Sequence, residues 1–238
     1  MPHTSPGFRP DPAALAAAPL LAGLDPPALH DVAAAGHTTR LAKDATLFEQ
    51  GAPATALHLV LHGRLKVLQT TSEGQQTVLR FAGPNEPAGV LALLGPGQAY
   101  PATVVAVVDS VLLSWEGAAL RGVVERHPAI MANAMRAMSG RTQDVHARLR
   151  EIGTERVERR LAMTLLRLMR QAGVREPDGT VRIDFPLARQ DLAEMVGTTL
   201  PTASRILSAW EAQGILAEAG RRQVLVRDPH ALVRIAEG

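Results

Sequence analysis

Pro186–Leu216 reads PLARQDLAEMVGTTLPTASRILSAWEAQGIL, a pattern that predicts two short helices joined by a tight turn. Leu187, Leu192, Met195 and Val196 supply the apolar face of the first helix. Gly197 breaks the period, where glycine tolerates the left-handed backbone a sharp turn needs. Thr199 is placed to cap the second helix, and Pro201 falls in its first turn, where a missing N–H costs no intrahelical bond. Ala203, Ile206, Leu207 and Trp210 face inward at helical spacing, and Gly214 ends the helix. Thr202, Ser204, Arg205 and Ser208 point outward. A polar outer face on a helix packed across a short turn is the helix-turn-helix arrangement, whose second helix fits a DNA major groove.

An ordinary helical hairpin in an enzyme would show similar apolar spacing. The residues that follow weigh against it. Ile215–Ala219, the turn Gly220-Arg221-Arg222-Gln223 and Val224–Arg227 read as a β-hairpin, the wing of a winged helix, with two arginines at its tip suited to backbone phosphates.

The chain has 238 residues, a net charge of only +2 and no cysteine. No apolar run approaches the ~20 residues of a membrane span. The N-terminus lacks the basic-then-apolar layout of a signal peptide, so a cytoplasmic location is expected. Without cysteine, disulfides, iron–sulfur clusters and thiolate zinc sites are excluded. The basic groups are nearly all arginine, the better fork for phosphate and guanine.

Outward from the helix-turn-helix the texture changes. Residues 1–18 are rich in Pro and Ala and are expected to form a disordered tail. Pro26–Ala35 reads as a short helix after Asp25 as cap. Residues 19–126 are expected to form a β-roll. Its strands are Leu57–Leu61, Leu65–Thr70, Thr77–Phe81 and Thr103–Ser114, with Gly51, Gly63, Gly74, Gly83 and Gly89 at the gaps. Closely spaced strands suggest a small barrel or jelly roll of about eight strands. Residues 127–152 then read as one long helix whose apolar positions are Met131, Met135, Met138, Thr142, Val145, Leu149 and Ile152. These alternate steps of four and three residues, the seam of a coiled coil, and the simplest partner is the same helix of a second subunit. A helix packed on the roll could show a similar stripe. Gly153-Thr154 interrupts the pattern as a hinge before residues 153–238. There Glu155–Ala172 is an amphipathic helix, Gly173–Gly179 a loop and Val181–Phe185 a short strand leading into the helix-turn-helix.

This order resembles the cyclic-AMP receptor protein and fumarate–nitrate reduction regulator (Crp/Fnr) superfamily of transcription regulators. The likeness covers about Leu20 to Leu232. It rests on FEQGAPA (Phe48–Ala54), LHLVLHGRLKV (Leu57–Val67), the roll glycines, and LARQDLAEMVGTT…SRIL (Leu187–Leu207). The resemblance implies an α+β protein. Its parts are an N-terminal double-stranded β-helix (a cyclic-nucleotide-binding-like jelly roll), a long dimerisation helix and a C-terminal winged helix-turn-helix. QAYPATVVAV (Gln98–Val107) and the Ser204-Arg205 pair look closer to the fumarate–nitrate and nitric-oxide responsive branches than to the cyclic-AMP branch.

Two departures stand out. The resemblance implies a Glu for the ribose hydroxyl and an Arg-Ser pair around a cyclic phosphate, but this chain has Val90, Tyr100 and Pro101 at those places. A desolvated phosphate needs opposite charge and several donors, so the effector pocket reads as degenerate and no tight cyclic-AMP binding is expected. The second departure is in the recognition helix, where a base-reading Glu is replaced by Pro201 and its neighbour by Leu200. Arg205 keeps its match and can read guanine, with Thr202 and Ser204 beside it. Arg189, Thr199, Ser208, Arg221 and Arg222 are the expected DNA-backbone contacts.

His37, His58 and His62 invite a metal or haem reading, since His58 and His62 are two strand steps apart on the same face. A cupin-like metal-dependent enzyme needs three ligands gathered on facing strands, and no carboxylate completes such a set. The expectation is a non-enzymatic regulator without a metal or bound cofactor, haem being the alternative. Its expected partners are double-stranded DNA, a second copy of itself and RNA polymerase, with no membrane.

Overall fold

The computed structural model describes residues 3–4, 10–217 and 223–238. The chain forms two compact units that divide within one long helix, between Gln143 and Asp144.

The first unit opens with β1 (His3–Thr4) and α1 (Pro12–Leu15), the latter capped by the Asp11 carboxylate, which accepts from the Ala13 N–H at 2.9 Å. Leu15 and Ala18 are buried with Leu20, Leu21 and Leu29. Residues 10–18 are therefore ordered rather than part of a disordered tail. One leucine at the right spacing is enough to pin an alanine-rich segment onto a core. α2 (Pro26–Ala35) follows its Asp25 cap as expected.

The roll is built from β2 (His37–Leu41), β3 (Thr46–Phe48), β4 (Ala56–His62), β5 (Leu65–Thr70), β6 (Gln76–Ala82), β7 (Pro87–Ala88), β8 (Thr103–Ala106) and β9 (Ser110–Glu116). One sheet runs β1-β2-β9-β4-β7 and the other β3-β8-β5-β6. The Thr103–Ser114 run, expected as one strand, is two, because it crosses from the second sheet to the first. The Asp109 carboxylate accepts from the Lys43 N–H at 2.8 Å within the crossing.

β4 is buried on both faces over most of its length, which explains its mostly apolar sequence. Leu57 and Leu59 join Leu113 and Trp115 of β9 in an outer core beneath the helices, while Val60 joins Leu65, Val104 and Leu112 in a second core. α3 (Gly117–Arg126) adds Leu120 and Val123 to the outer core. So do Ile130 and Ala134 from the start of α4 (Ala129–Thr154). Asn133 anchors that turn by donating to the Leu20 and Ala22 carbonyls at 3.0 and 2.9 Å.

α4 does not break at Gly153. A glycine costs a helix only about 1 kcal/mol relative to alanine, and here the turn is held. The Glu155 N–H donates to the Glu151 carbonyl, and the Glu151 carboxylate accepts from Arg167 at 2.7 and 3.2 Å. The chain turns instead at Arg156, whose backbone is extended, before α5 (Val157–Ala172). Arg160 fills the break by donating to the Glu155 carbonyl at 2.7 Å and to the Val196 carbonyl at 3.0 Å.

The rest of the second unit is β10 (Gly173–Arg175), β11 (Val181–Ile183), α6 (Arg189–Val196), α7 (Leu200–Ala212), β12 (Leu216–Ala217), β13 (Leu225–Val226) and α8 (Pro229–Glu237). β10 begins inside the stretch expected as a loop. The four strands form one antiparallel sheet, β10-β11-β13-β12, with Leu216 opposite Val226. Leu161, Leu165, Leu192, Leu207, Trp210 and Leu232 are buried in this unit.

Candidate nucleic-acid interface and effector pocket

α6 ends where Gly197 adopts φ 65°, ψ 51°, a backbone a Cβ would strain, and the chain reverses into α7. Thr199 caps α7, its Oγ1 accepting from the Thr202 N–H at 3.4 Å. At about 100° per residue, Ala203, Ile206, Leu207 and Trp210 fall on one arc of α7. Of these, Ala203, Leu207 and Trp210 are buried and Ile206 is half-buried. Pro201, Ser204, Arg205 and Ser208 occupy an outer arc of about 100°, and Leu200 lies at its edge, about 20° from Leu207. Ser204 is half-buried and the other four are exposed.

The expected DNA-contacting residues separate on that surface. Among the described residues none hydrogen-bonds or pairs with the Arg205 guanidinium, which is exposed on the outer arc. Thr202 lies at the edge of the arc, with its hydroxyl 3.0 Å from that of Thr199, so both hydroxyls are engaged in the cap. Arg189, expected as a DNA-backbone contact, is engaged by groups of the protein itself. Its guanidinium donates to both Glu211 carboxylate oxygens at 2.7 Å, to the Ser208 hydroxyl at 2.8 Å and to the Ser204 carbonyl at 3.2 Å. A fork so occupied holds α6 against α7, and Ser208 serves it as an acceptor. No local signal pairs residues twenty-two apart, which is why sequence spacing did not find this contact. Arg221 and Arg222 lie outside the described residues, between the two strands of the wing.

The seven apolar positions of α4 also divide. Met131 is half-buried against the outer core of the roll. Met135, Met138, Val145, Leu149 and Ile152 are exposed by 65%, 36%, 54%, 62% and 52%, and Thr142 is exposed with them. A row of large apolar side chains left in water along 18 residues is an unburied face, as a helix–helix seam requires.

In the roll, Val90, Tyr100 and Pro101 go to different surroundings. Val90 is buried in the outer core, and Pro101 is exposed with its carbonyl accepting from the Gln69 amide at 2.8 Å. Tyr100 is buried. Its hydroxyl donates to the Ala56 carbonyl at 2.9 Å and accepts from the Ala56 N–H at 3.1 Å, and its ring stacks on Phe48 at 3.8 Å. Burial pushes the phenol's pKa up. Gly89 lies against the same carbonyl, where a Cβ would come within 2.4 Å of Ala56 O. Nearby, with no local signal in the chain, Arg80 and Arg141 both donate to the Pro87 carbonyl, at 3.1 and 3.2 Å.

The histidines do not gather. β4 carries a bulge between Val60 and His62, so the regular alternation expected to align His58 with His62 fails. His62 is exposed, whereas His58 is buried and shares a 2.7 Å hydrogen bond with the Ser114 hydroxyl, itself 2.8 Å from that of Thr39. Burial, with the nearby His37 adding to it, lowers the His58 pKa to about 4, so the ring is neutral near pH 7. Among the described residues no three His, Asp or Glu side chains are grouped to hold a metal ion. Nor is any helix among them long and apolar enough to cross a membrane.

Residues 38–127 match the cyclic nucleotide-binding domain and residues 159–235 the Crp-like helix-turn-helix domain. The chain is 30% identical over 192 residues to the cyclic AMP receptor protein of Thermus thermophilus, covering 81% of this chain and 84% of that one. It is 26% identical over 223 residues to the CRP-like cAMP-activated global transcriptional regulator of Mycobacterium tuberculosis, covering 93% and 98%. FixK2 of Bradyrhizobium japonicum has a similar fold, with a TM-score of 0.72, 22% identity and coverage of 84% and 96%. The first two are named for cyclic AMP, so they do not carry the expected leaning toward the fumarate–nitrate and nitric-oxide branches. These relatives are regulators rather than enzymes.

Proposed function

The chain belongs to the Crp/Fnr family of transcription regulators, and from that premise we propose that it binds a two-fold symmetric DNA operator as a cytoplasmic homodimer. The carrying observation is Arg205, an exposed guanidinium with no partner among the described residues, on the outer arc of the second helix of the helix-turn-helix. A guanidinium so placed can form two hydrogen bonds to guanine O6 and N7. Ser204 lies beside it. Backbone phosphates fall to the exposed groups around the turn and to Arg221 and Arg222, and these set salt dependence more than sequence. The exposed row from Met135 to Ile152 supports pairing of two α4 helices. RNA polymerase is the further partner that regulation of transcription requires.

Any effector is one other than cyclic AMP in the family's usual mode. Tyr100, hydrogen-bonded to Ala56 and stacked on Phe48, supplies no cation for a buried phosphate.

Selection of operators from random duplex DNA by the full-length protein tests the reading. Enrichment of an inverted repeat with half-sites about one helical turn apart is expected. Arg205→Ala should cost about 1–3 kcal/mol and relax preference at one base pair. Uniform weakening across all sequences would make Arg205 a phosphate contact.

A further inference from the structure

We infer that Leu200 and Pro201 read the C5-methyl group of a pyrimidine in the major groove, so that the operator is selected by methyl contact at a base pair near the one Arg205 reads. The inference rests on the DNA-binding function proposed above. Leu200 is 42% exposed and Pro201 is exposed beside it, so both are apolar side chains left in water. Pro201 shares the outer arc with Ser204 and Arg205, and Leu200 lies at the edge of that arc, about 20° round the helix from the buried Leu207. Neither side chain is buried in the core of its unit; Pro201 also suits the first turn of α7, whose cap Thr199 supplies, so the exposed Leu200 carries most of the inference.

The chemistry of the groove narrows the target. Leucine and proline side chains offer no donor or acceptor, so they cannot satisfy the polar edge of guanine, adenine or cytosine. Pressing them against such an edge strips it of water without replacement, which is unfavourable. The thymine methyl is the apolar group a base pair presents there, and apolar side chains recognise it by contact. The five steps from Leu200 to Arg205 span about 7.5 Å of helix, or about two base pairs at 3.4 Å each. The thymine is therefore placed about two base pairs from the guanine. Because the contact is to a methyl rather than to a base, 5-methylcytosine offers the same surface.

The test uses the selected operator with one position altered at a time and affinity measured by fluorescence anisotropy with the full-length protein. Replacing thymine by uracil should weaken binding about three- to tenfold, and replacing cytosine by 5-methylcytosine in the cytosine-bearing operator should strengthen it by a similar factor. Leu200→Ala should bring both ratios within about twofold while keeping the guanine preference assigned to Arg205. Equal binding of thymine and uracil operators by the unaltered protein would overturn the inference, and needs no variant to fold. An enriched inverted repeat without thymine near the guanine would overturn it alone. Failure to enrich any symmetric operator would overturn the proposed function, and this inference with it.

Discussion

The guanidinium of Arg189 lies across the carboxylate of Glu211, 2.7 Å from each oxygen. Arg189 begins α6 and Glu211 lies near the end of α7, so one ion pair, both carboxylate oxygens on Nη2, crosses the two helices of the helix-turn-helix. The same arginine reaches the Ser208 hydroxyl and the Ser204 carbonyl, both on the outer arc. The pair has two consequences: it fixes how α7 is presented, and it withdraws a cation from the surface.

Glu211→Ala should reverse both. The pair is half-buried, with side chains 35% and 23% exposed, so its loss should cost about 1 kcal/mol. In thermal denaturation that is a fall of several degrees in Tm for a unit of this size. The freed Arg189 should steepen the dependence of log K on log salt for non-specific DNA by about one unit. An unchanged slope would mean that Arg189 finds another protein acceptor.

His58 ties the stability of the roll to acid pH. Its pKa is lowered from 6.5 to about 4, so the unfolded chain takes up the proton more readily than the folded one. The stabilisation is complete above pH 6.5 and is lost as pH falls toward 4, amounting to about 3 kcal/mol across that window. Urea unfolding at half-unit steps from pH 7 to 4 should show this decline in the native protein. It should be absent from His58→Gln, which keeps a partner for Ser114.

Tyr100 should behave as a strut. Tyr100→Phe removes the group that satisfies both the N–H and the carbonyl of Ala56, and should destabilise the protein by about 1–3 kcal/mol. The phenol's pKa is raised in the folded state. The stabilisation it provides is therefore full below pH 10, its unfolded value, and declines as pH rises beyond it. Denaturant midpoints measured from pH 8 to 11 should fall more steeply for the native protein than for Tyr100→Phe.

The exposed row on α4 is expected to set the oligomeric state. Leu149→Lys places a charge among Val145, Ile152 and their counterparts on a second copy. In sedimentation equilibrium, the native protein should run at twice its 25.3 kDa chain mass and the variant at that mass at the same micromolar concentration. A native protein that is monomeric throughout would remove the basis for a two-fold operator.

Sequence alone determined the elements whose evidence is local. The apolar period, Gly197 and the Thr199–Pro201 start placed the helix-turn-helix, and the strands from Leu57 to Thr70 stood where alternation put them. These features depend on neighbours within a turn or a strand step, so the chain records them directly. Tertiary structure decided what each polar side chain does. It committed Arg189 to Glu211, took Tyr100 to Ala56, separated His58 from His62 by a single bulge, and carried α4 through Gly153. Those outcomes come from partners distant in sequence, and a hydrogen-bonding group pairs with whatever the fold brings within about 3 Å, which no local spacing encodes.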